Sequence, residues 1–212
     1  MAVPKLQFAC DHTDLPSALA DAGKVGNVVD ILEAGTILLL QEGRKAIQCL
    51  RAMFPDKIIV ADPKCADAGA VVAANCSSAG ADFMTVICAA SLPTMQAAAK
   101  EVKEVQIELF GDWTFEQAEA WLDAGISQVI YHQGRDALAA GDGWGEKDLE
   151  KIRRLADMGF GVSVTGGLKP ETLRLFEGVN VYAFIAGRAI SGQPDPVKAA
   201  SDFQKEIHRI WN

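Results

Sequence analysis

Eight short apolar runs, each followed by an amphipathic stretch, divide this chain of 212 residues from end to end. The runs are Leu6–Cys10, Val28–Glu33, Ile58–Asp62, Phe83–Cys88, Val105–Leu109, Gln128–His132, Gly161–Thr165 and Ala183–Ala186. Most are continuous and rich in Val, Ile and Phe, which is how strands covered on both faces read, and this implies a parallel sheet. Helical patterns fill the gaps. Thr114 and Gln117 form a capping-box signature ahead of Ala118, Trp121 and Leu122, with Gly125 as the stop. Leu149, Ile152, Leu155 and Ala156 line one face of the next helix, which Gly159 ends. Pro170 starts a short helix, and Asp195-Pro196 opens a last one that ends near Trp211. Its stripe of Phe203, Ile207, Ile210 and Trp211 suits the core better than an interface.

Eight strand-then-helix units without a linker predict a single-domain (β/α)₈ TIM barrel over residues 1–212. The competing architecture is an open doubly wound sheet. Against it, the first strand-to-helix turn, Asp11-His12-Thr13-Asp14, has no glycine-rich dinucleotide loop.

The formal charge of −8 argues against a nucleic-acid surface and a basic membrane patch. A phosphorylated small molecule stays open, because a few local cations and backbone N–H groups can hold a phosphate. The five cysteines form no C-x-x-C pair and read as buried thiols in a reducing compartment. No apolar run reaches the roughly 18 residues of a membrane span, and no signal peptide pattern opens the chain, so a cytoplasmic location is expected.

A barrel carries its active site at the C-terminal ends of its strands. Chemically useful residues collect there: Asp11, Glu33, Asp62 with Lys64 and Asp67, Glu108, His132 with Arg135, then Thr165-Gly166-Gly167 and Gly187-Arg188. Taken singly, each has a plain alternative. Asp11 could cap the next helix, His132 could be a satisfied core histidine, and Arg188 could be a surface cation. Together they are harder to dismiss, because ionisable groups are costly to bury and these follow directly on apolar strands.

The seventh and eighth turns predict a phosphate site. Glycines let backbone N–H groups approach an anion, a following helix N-terminus adds a favourable field, and Arg188 supplies charge-assisted hydrogen bonds. Glu33 and Asp62 end neighbouring strands, and two hard oxygen ligands suit Mg²⁺. Three scattered histidines (12, 132 and 208) do not make a zinc site. Lys64 could form a Schiff base as a neutral amine or stabilise an oxyanion as a cation. Its flanking carboxylates favour the cation.

Asp62-x-Lys64-x-x-Asp67 resembles the D-x-K-x-x-D motif of the orotidine-5′-phosphate decarboxylase suprafamily. Within it, the chain most resembles the 3-keto-L-gulonate-6-phosphate decarboxylases. The segments that carry this are Glu33-Ala34-Gly35-Thr36, Lys57–Asp62, Ala66–Gly69, Gln106–Leu109, Tyr131–Ala137, Val164–Gly167 and Phe184–Arg188. The related hexulose-6-phosphate synthases, aldolases joining formaldehyde to ribulose 5-phosphate, share the motif. Glu108 and Arg135 place this chain on the decarboxylase side. Pro63 departs from the family pattern; lacking an N–H, it is expected where strand pairing has ended.

The resemblance implies decarboxylation of a β-keto acid sugar phosphate through an enediolate. It implies Mg²⁺ on Glu33 and Asp62, and charge stabilisation by Lys64. Asp11 would orient Lys64 or a substrate hydroxyl. His132 and Arg135 would direct the protonating water, with Glu108 helping to hold it. Phosphate binding falls to Thr165, Gly166, Gly167, Gly187 and Arg188. It also implies a homodimer in which Asp67 reaches the neighbouring subunit's site. The alternatives are the aldolase and a catalytically silent sugar-phosphate-binding protein.

Overall fold

A computed structural model describes all residues 1–212 as one closed, fully parallel barrel in the strand order β1 to β8. The strands are β1 (Lys5–Cys10), β2 (Ile31–Ala34), β3 (Ile58–Cys65), β4 (Phe83–Ile87), β5 (Glu104–Leu109), β6 (Gln128–His132), β7 (Gly161–Thr165) and β8 (Val181–Ala186). β1 pairs with β8, from Lys5 opposite Ala183 to Phe8 opposite Ala186, and this closes the ring. The open-sheet alternative is thereby excluded.

The continuous apolar runs are explained by two cores. Outward residues such as Phe8, Leu32, Ile59, Met84, Ile107 and Phe184 are fully buried beneath the helices. Inside the barrel, Ile31, Val60, Phe83 and Ala183 fill the lower end, and the apolar trio Ala9, Ile130 and Ile185 lies above them. Each large side chain moved out of water contributes about 1.5–3 kcal/mol.

The last helix, Pro196–Trp211, starts on an Asp195 cap and lays Phe203, Ile207 and Trp211 into the outer core. It lies beside the seam between β8 and β1, with the Trp211 ring 5.4 Å from Phe184 and Gln204 Nε2 donating to Val28 O at 2.9 Å. The capping box forms as expected, with Gln117 N–H donating to Thr114 Oγ1 and Thr114 N–H to Gln117 Oε1. No helix is long and apolar enough to cross a membrane.

Several strand ends differ from expectation by one or two residues, and two boundaries differ by three. β2 begins at Ile31, because the Val28 and Val29 N–H groups turn back to Val25 O at 2.8 and 3.1 Å. β3 does not end at Asp62. Its pairing with β4 lapses after Ala61–Met84 and resumes at Cys65–Val86. Residues 62, 63 and 64 therefore stand opposite the single residue Thr85. Pro63 sits in this bulge, not beyond the last pair, and Lys64 takes a left-handed φ of 48° to close it. Because the insertion is even, the alternation of faces survives, and Asp62 and Lys64 both enter the barrel mouth.

Candidate active site

A cavity of about 1160 Å³ opens at the C-terminal ends of the strands. Ala9, Ile130 and Ile185 form part of its floor, and the β3 bulge delivers Asp62 and Lys64 to its wall. Glu33, Glu108 and His132 enter from β2, β5 and β6. Asp11 and Arg135 stand at the rim, Arg135 Nη2 donating to Asp11 Oδ2 at 3.4 Å. Thr165, Gly166 and Gly167 line the far side with Gly187 and Arg188. Asp67 alone among the sequence-selected residues lies outside this cavity; it is exposed on the loop after β3.

The central feature is a chain of charges across three strands. Lys64 Nζ donates to Asp62 Oδ2 at 3.0 Å and to Glu108 Oε1 at 2.6 Å. Glu108 Oε1 also stands 2.5 Å from His132 Nδ1. Burial alone would lower the Lys64 pKa, but the charges of Asp62 and Glu108 outweigh it and raise the value, so the side chain is an ammonium. Burial likewise opposes ionisation of Glu108, yet the His132 hydrogen bond and the Lys64 charge hold its carboxyl below the usual range. An ionised Glu108 accepts from His132 Nδ1–H, which leaves Nε2 for the cavity. Glu108 is thus committed to two side chains rather than free to hold water by itself. Asp11 makes no hydrogen bond to Lys64; its partner is Arg135. Nor does Asp11 cap the first helix, Leu15–Val25, whose cap is Asp14.

Glu33 forms no ion pair, and its Oε2 accepts from Gln7 Nε2 at 2.5 Å. Burial, then the charges of Asp62 and Asp11, raise its pKa well above the carboxylate range. Burial and the Glu108 charge push Asp62 up to about 6, against the pull of Lys64, Thr85 and Thr36. Crowded, buried carboxylates with one nearby ammonium resist full ionisation, a cost that a divalent cation would relieve, and hard oxygen donors of this kind fit Mg²⁺. No cluster of three or more His, Cys, Asp or Glu side chains is arranged to hold a metal. Two protein carboxylates match an ion that keeps water and substrate oxygens as its remaining ligands.

At the phosphate end, Gly166 has φ 102° and Gly167 φ 62°. A Cβ on Gly166 would stand 2.1 Å from Gln133 O, so only glycine lets the β7 turn pass the β6 turn. Trp144 Nε1 holds Gly166 O at 2.9 Å. Arg188 is exposed at the cavity and forms no ion pair within the chain. The helix field expected here is small. A 3₁₀ segment, Pro170–Phe176, follows β7, and a helix of only four residues, Arg188–Ser191, follows β8.

Sequence reasoning gave no role to several supporting residues. The buried Thr85 hydroxyl donates to Asp62 Oδ1 at 2.6 Å and accepts from Lys64 N–H at 3.1 Å. Thr36 Oγ1 donates to Asp62 Oδ2 at 2.7 Å. The available signal was a lone polar residue within an apolar run, Thr85 in Phe83–Ile87 and Gln7 in Leu6–Ala9.

Residues 4–203 match the model of the orotidine 5′-phosphate decarboxylase / HUMPS family. This chain belongs to that family. A family member from Escherichia coli, the 3-keto-L-gulonate-6-phosphate decarboxylase UlaD, is 49% identical over 215 residues, covering 100% of both chains. The crystal structure of KGPDC from Streptococcus mutans, solved as a ligand complex, superposes with a TM-score of 0.98 at 57% identity, again over 100% of each chain. The 3-hexulose-6-phosphate synthase from Salmonella typhimurium is more distant within the family. It has a TM-score of 0.90 and 28% identity, over 97% of this chain and 99% of that one.

Proposed function

We propose that this chain decarboxylates 3-keto-L-gulonate 6-phosphate to L-xylulose 5-phosphate. The observation that carries the reading is the Lys64–Glu108–His132 relay, in which one carboxylate joins a fixed cation to a proton-bearing ring. The names of the relatives at 49% and 57% identity support the choice of substrate, as do Glu108 and Arg135 at the cavity.

In this reading the C1–C2 bond breaks and CO₂ leaves. The bond's electron pair becomes the C2–C3 double bond, and negative charge collects on the C3 oxygen. The Lys64 ammonium offsets that charge where it develops, a task for which it needs no reorganisation. With both carboxylates holding its proton, Lys64 is a poor Schiff-base nucleophile. His132 Nε2 and Arg135 then direct a water proton to C2, while Glu108 keeps the imidazole oriented. The glycine turns after β7 and β8, with Thr165 and Arg188, hold the phosphate and align the reacting end. Glu33 and Asp62 would hold Mg²⁺, which supplies Lewis-acid polarisation of substrate oxygens when bound.

We assign the working form as a homodimer, supported by Asp67 standing exposed and outside its own cavity. Five free cysteines, four of them buried, support a reducing, cytoplasmic setting.

Side-by-side assays with Mg²⁺ test the function. CO₂ release from 3-keto-L-gulonate 6-phosphate should exceed addition of formaldehyde to ribulose 5-phosphate by about 100-fold in kcat/KM, close to 3 kcal/mol. Faster aldol addition, or ligand binding without turnover, overturns the reading.

A further inference from the structure

Phe110 follows directly on β5 and lines the cavity, yet the chemistry above gives it no task. Its ring lies 4.9 Å from the His132 ring at an interplanar angle of 45°. Lys64 Nζ sits 5.6 Å from the centre of the same ring. The ring edge closes on the turn after β6, with Cε1 3.8 Å from where a Gly134 Cβ would stand. One aromatic side chain thus touches both ends of the relay.

The backbone beneath the ring is fixed. Phe110 N–H donates to Cys88 Sγ at 3.3 Å, and the Cys88 thiol donates to Phe110 O at 3.1 Å. Cys88 is itself buried, just past the end of β4. A single thiol therefore satisfies both main-chain groups of Phe110 and ties its position to the neighbouring strand.

Glu108 grips the His132 imidazole at one atom, Nδ1. One hydrogen bond leaves a ring free to swing about it. A second contact, with the tilted Phe110 ring, restricts that freedom and biases where Nε2 points. Aromatic pairs at this separation attract beyond the area they bury, enough to favour one orientation several-fold. The same ring stands 5.6 Å from Lys64 Nζ, and an apolar neighbour strengthens an ion pair by keeping water from it.

We propose that Phe110 is a positioning residue for proton delivery: it holds the His132 ring against Glu108 and thereby sets the face of the intermediate that receives the proton. This rests on the reading that His132 directs protonation at C2.

The experiment uses the full-length protein with Phe110→Leu, Phe110→Met and the conservative Phe110→Tyr. Turnover in D₂O places one deuterium on the product carbon that has lost the carboxylate, and proton NMR gives the ratio of the two labelled diastereomers. Phe110→Leu and Phe110→Met should change that ratio by about twofold or more and lower kcat by about tenfold, with KM within about twofold. Phe110→Tyr should restore both the ratio and kcat. A wild-type ratio in the Leu or Met variant overturns the proposal. So does a loss of activity that tracks a fall in Tm with the ratio unchanged.

A second measurement does not need turnover. In protein labelled with [¹⁵N]histidine, the His132 Nδ1–H proton, identified by its loss in His132→Gln, should be sharp in wild type and in Phe110→Tyr. It should broaden by exchange with water in Phe110→Leu and Phe110→Met. An equally sharp signal in all four overturns the positioning role. If wild type fails to decarboxylate while this pattern holds, it is the functional reading that falls and not the positioning of His132.

Discussion

Glu108 and His132 meet through a single contact, Oε1 to Nδ1 at 2.5 Å, and that carboxylate is also a counter-charge of Lys64. Glu108→Gln keeps the shape but removes the charge, and an amide nitrogen cannot accept from either partner. The kcat should fall by about 100-fold or more, the scale on which positioned proton carriers act. KM should change little, because the phosphate end is untouched. Steady-state kinetics check this, and an unchanged kcat would remove the relay from the mechanism.

Thr85 is the hinge between the bulge and its carboxylate. Thr85→Val is nearly isosteric but leaves Lys64 N–H unpaired and Asp62 with one donor fewer. A buried unsatisfied group costs about 1–3 kcal/mol, and urea unfolding should show a loss of that size. Activity should drop together with stability. Thr85→Ser, which keeps the hydroxyl, should recover most of both.

Asp67 is exposed and absent from its own cavity, whereas Lys64 stands inside it. If active sites are shared between subunits, inactive Asp67→Ala and inactive Lys64→Ala chains should regain activity when mixed. In a random mixture about half the dimers are mixed, and each carries one site with both residues intact. Roughly a quarter of wild-type activity is the expected return when residues act as independent units. No activity in verified mixed dimers would confine each site to one chain.

Asp82 begins the turn into β4 at the end of the barrel opposite the cavity. It accepts from Ile59 N–H at 2.9 Å and from Lys103 Nζ at 2.6 Å, and it pairs with Arg51. Burial opposes its ionisation, but Lys103, the Ile59 N–H and Arg51 together hold its pKa below the carboxylate range. A lowered folded-state value gives stability that is present above the unfolded pKa and is lost as pH falls through the folded one. Asp82→Asn should therefore cost about 1–2 kcal/mol near pH 7. The gap between the two proteins in thermal melts should close as pH drops below about 4. A gap that stays constant with pH would assign the cost to packing instead.

The barrel was legible because its strands are buried on both faces. Runs such as Phe83–Ile87 and Gly161–Thr165 show in the sequence as apolar blocks between helical patterns. The start of β2 was not legible, since Val28 and Val29 are apolar whether they pair or turn. The bulge at Pro63 was also hidden, because it depends on what β4 offers opposite, and that is a property of two strands together. At the site, ionisable residues announced themselves by position. Thr36, Thr85 and Gln7 did not, because a neutral hydroxyl or amide acquires meaning only from the carboxylate it touches.

The even insertion in β3 has a consequence for natural and laboratory variation in chain length. Between Ala61 and Cys65, loss or gain of one residue would exchange inside for outside and turn either the Asp62 carboxylate or the Lys64 ammonium toward the helices. Loss of two would restore a regular strand with one inward residue in place of two, and the charge pair could not form. Length at this point is therefore governed by parity as well as by number. Descendants of this chain can vary the residue at 63 far more freely than they can vary how many residues stand there.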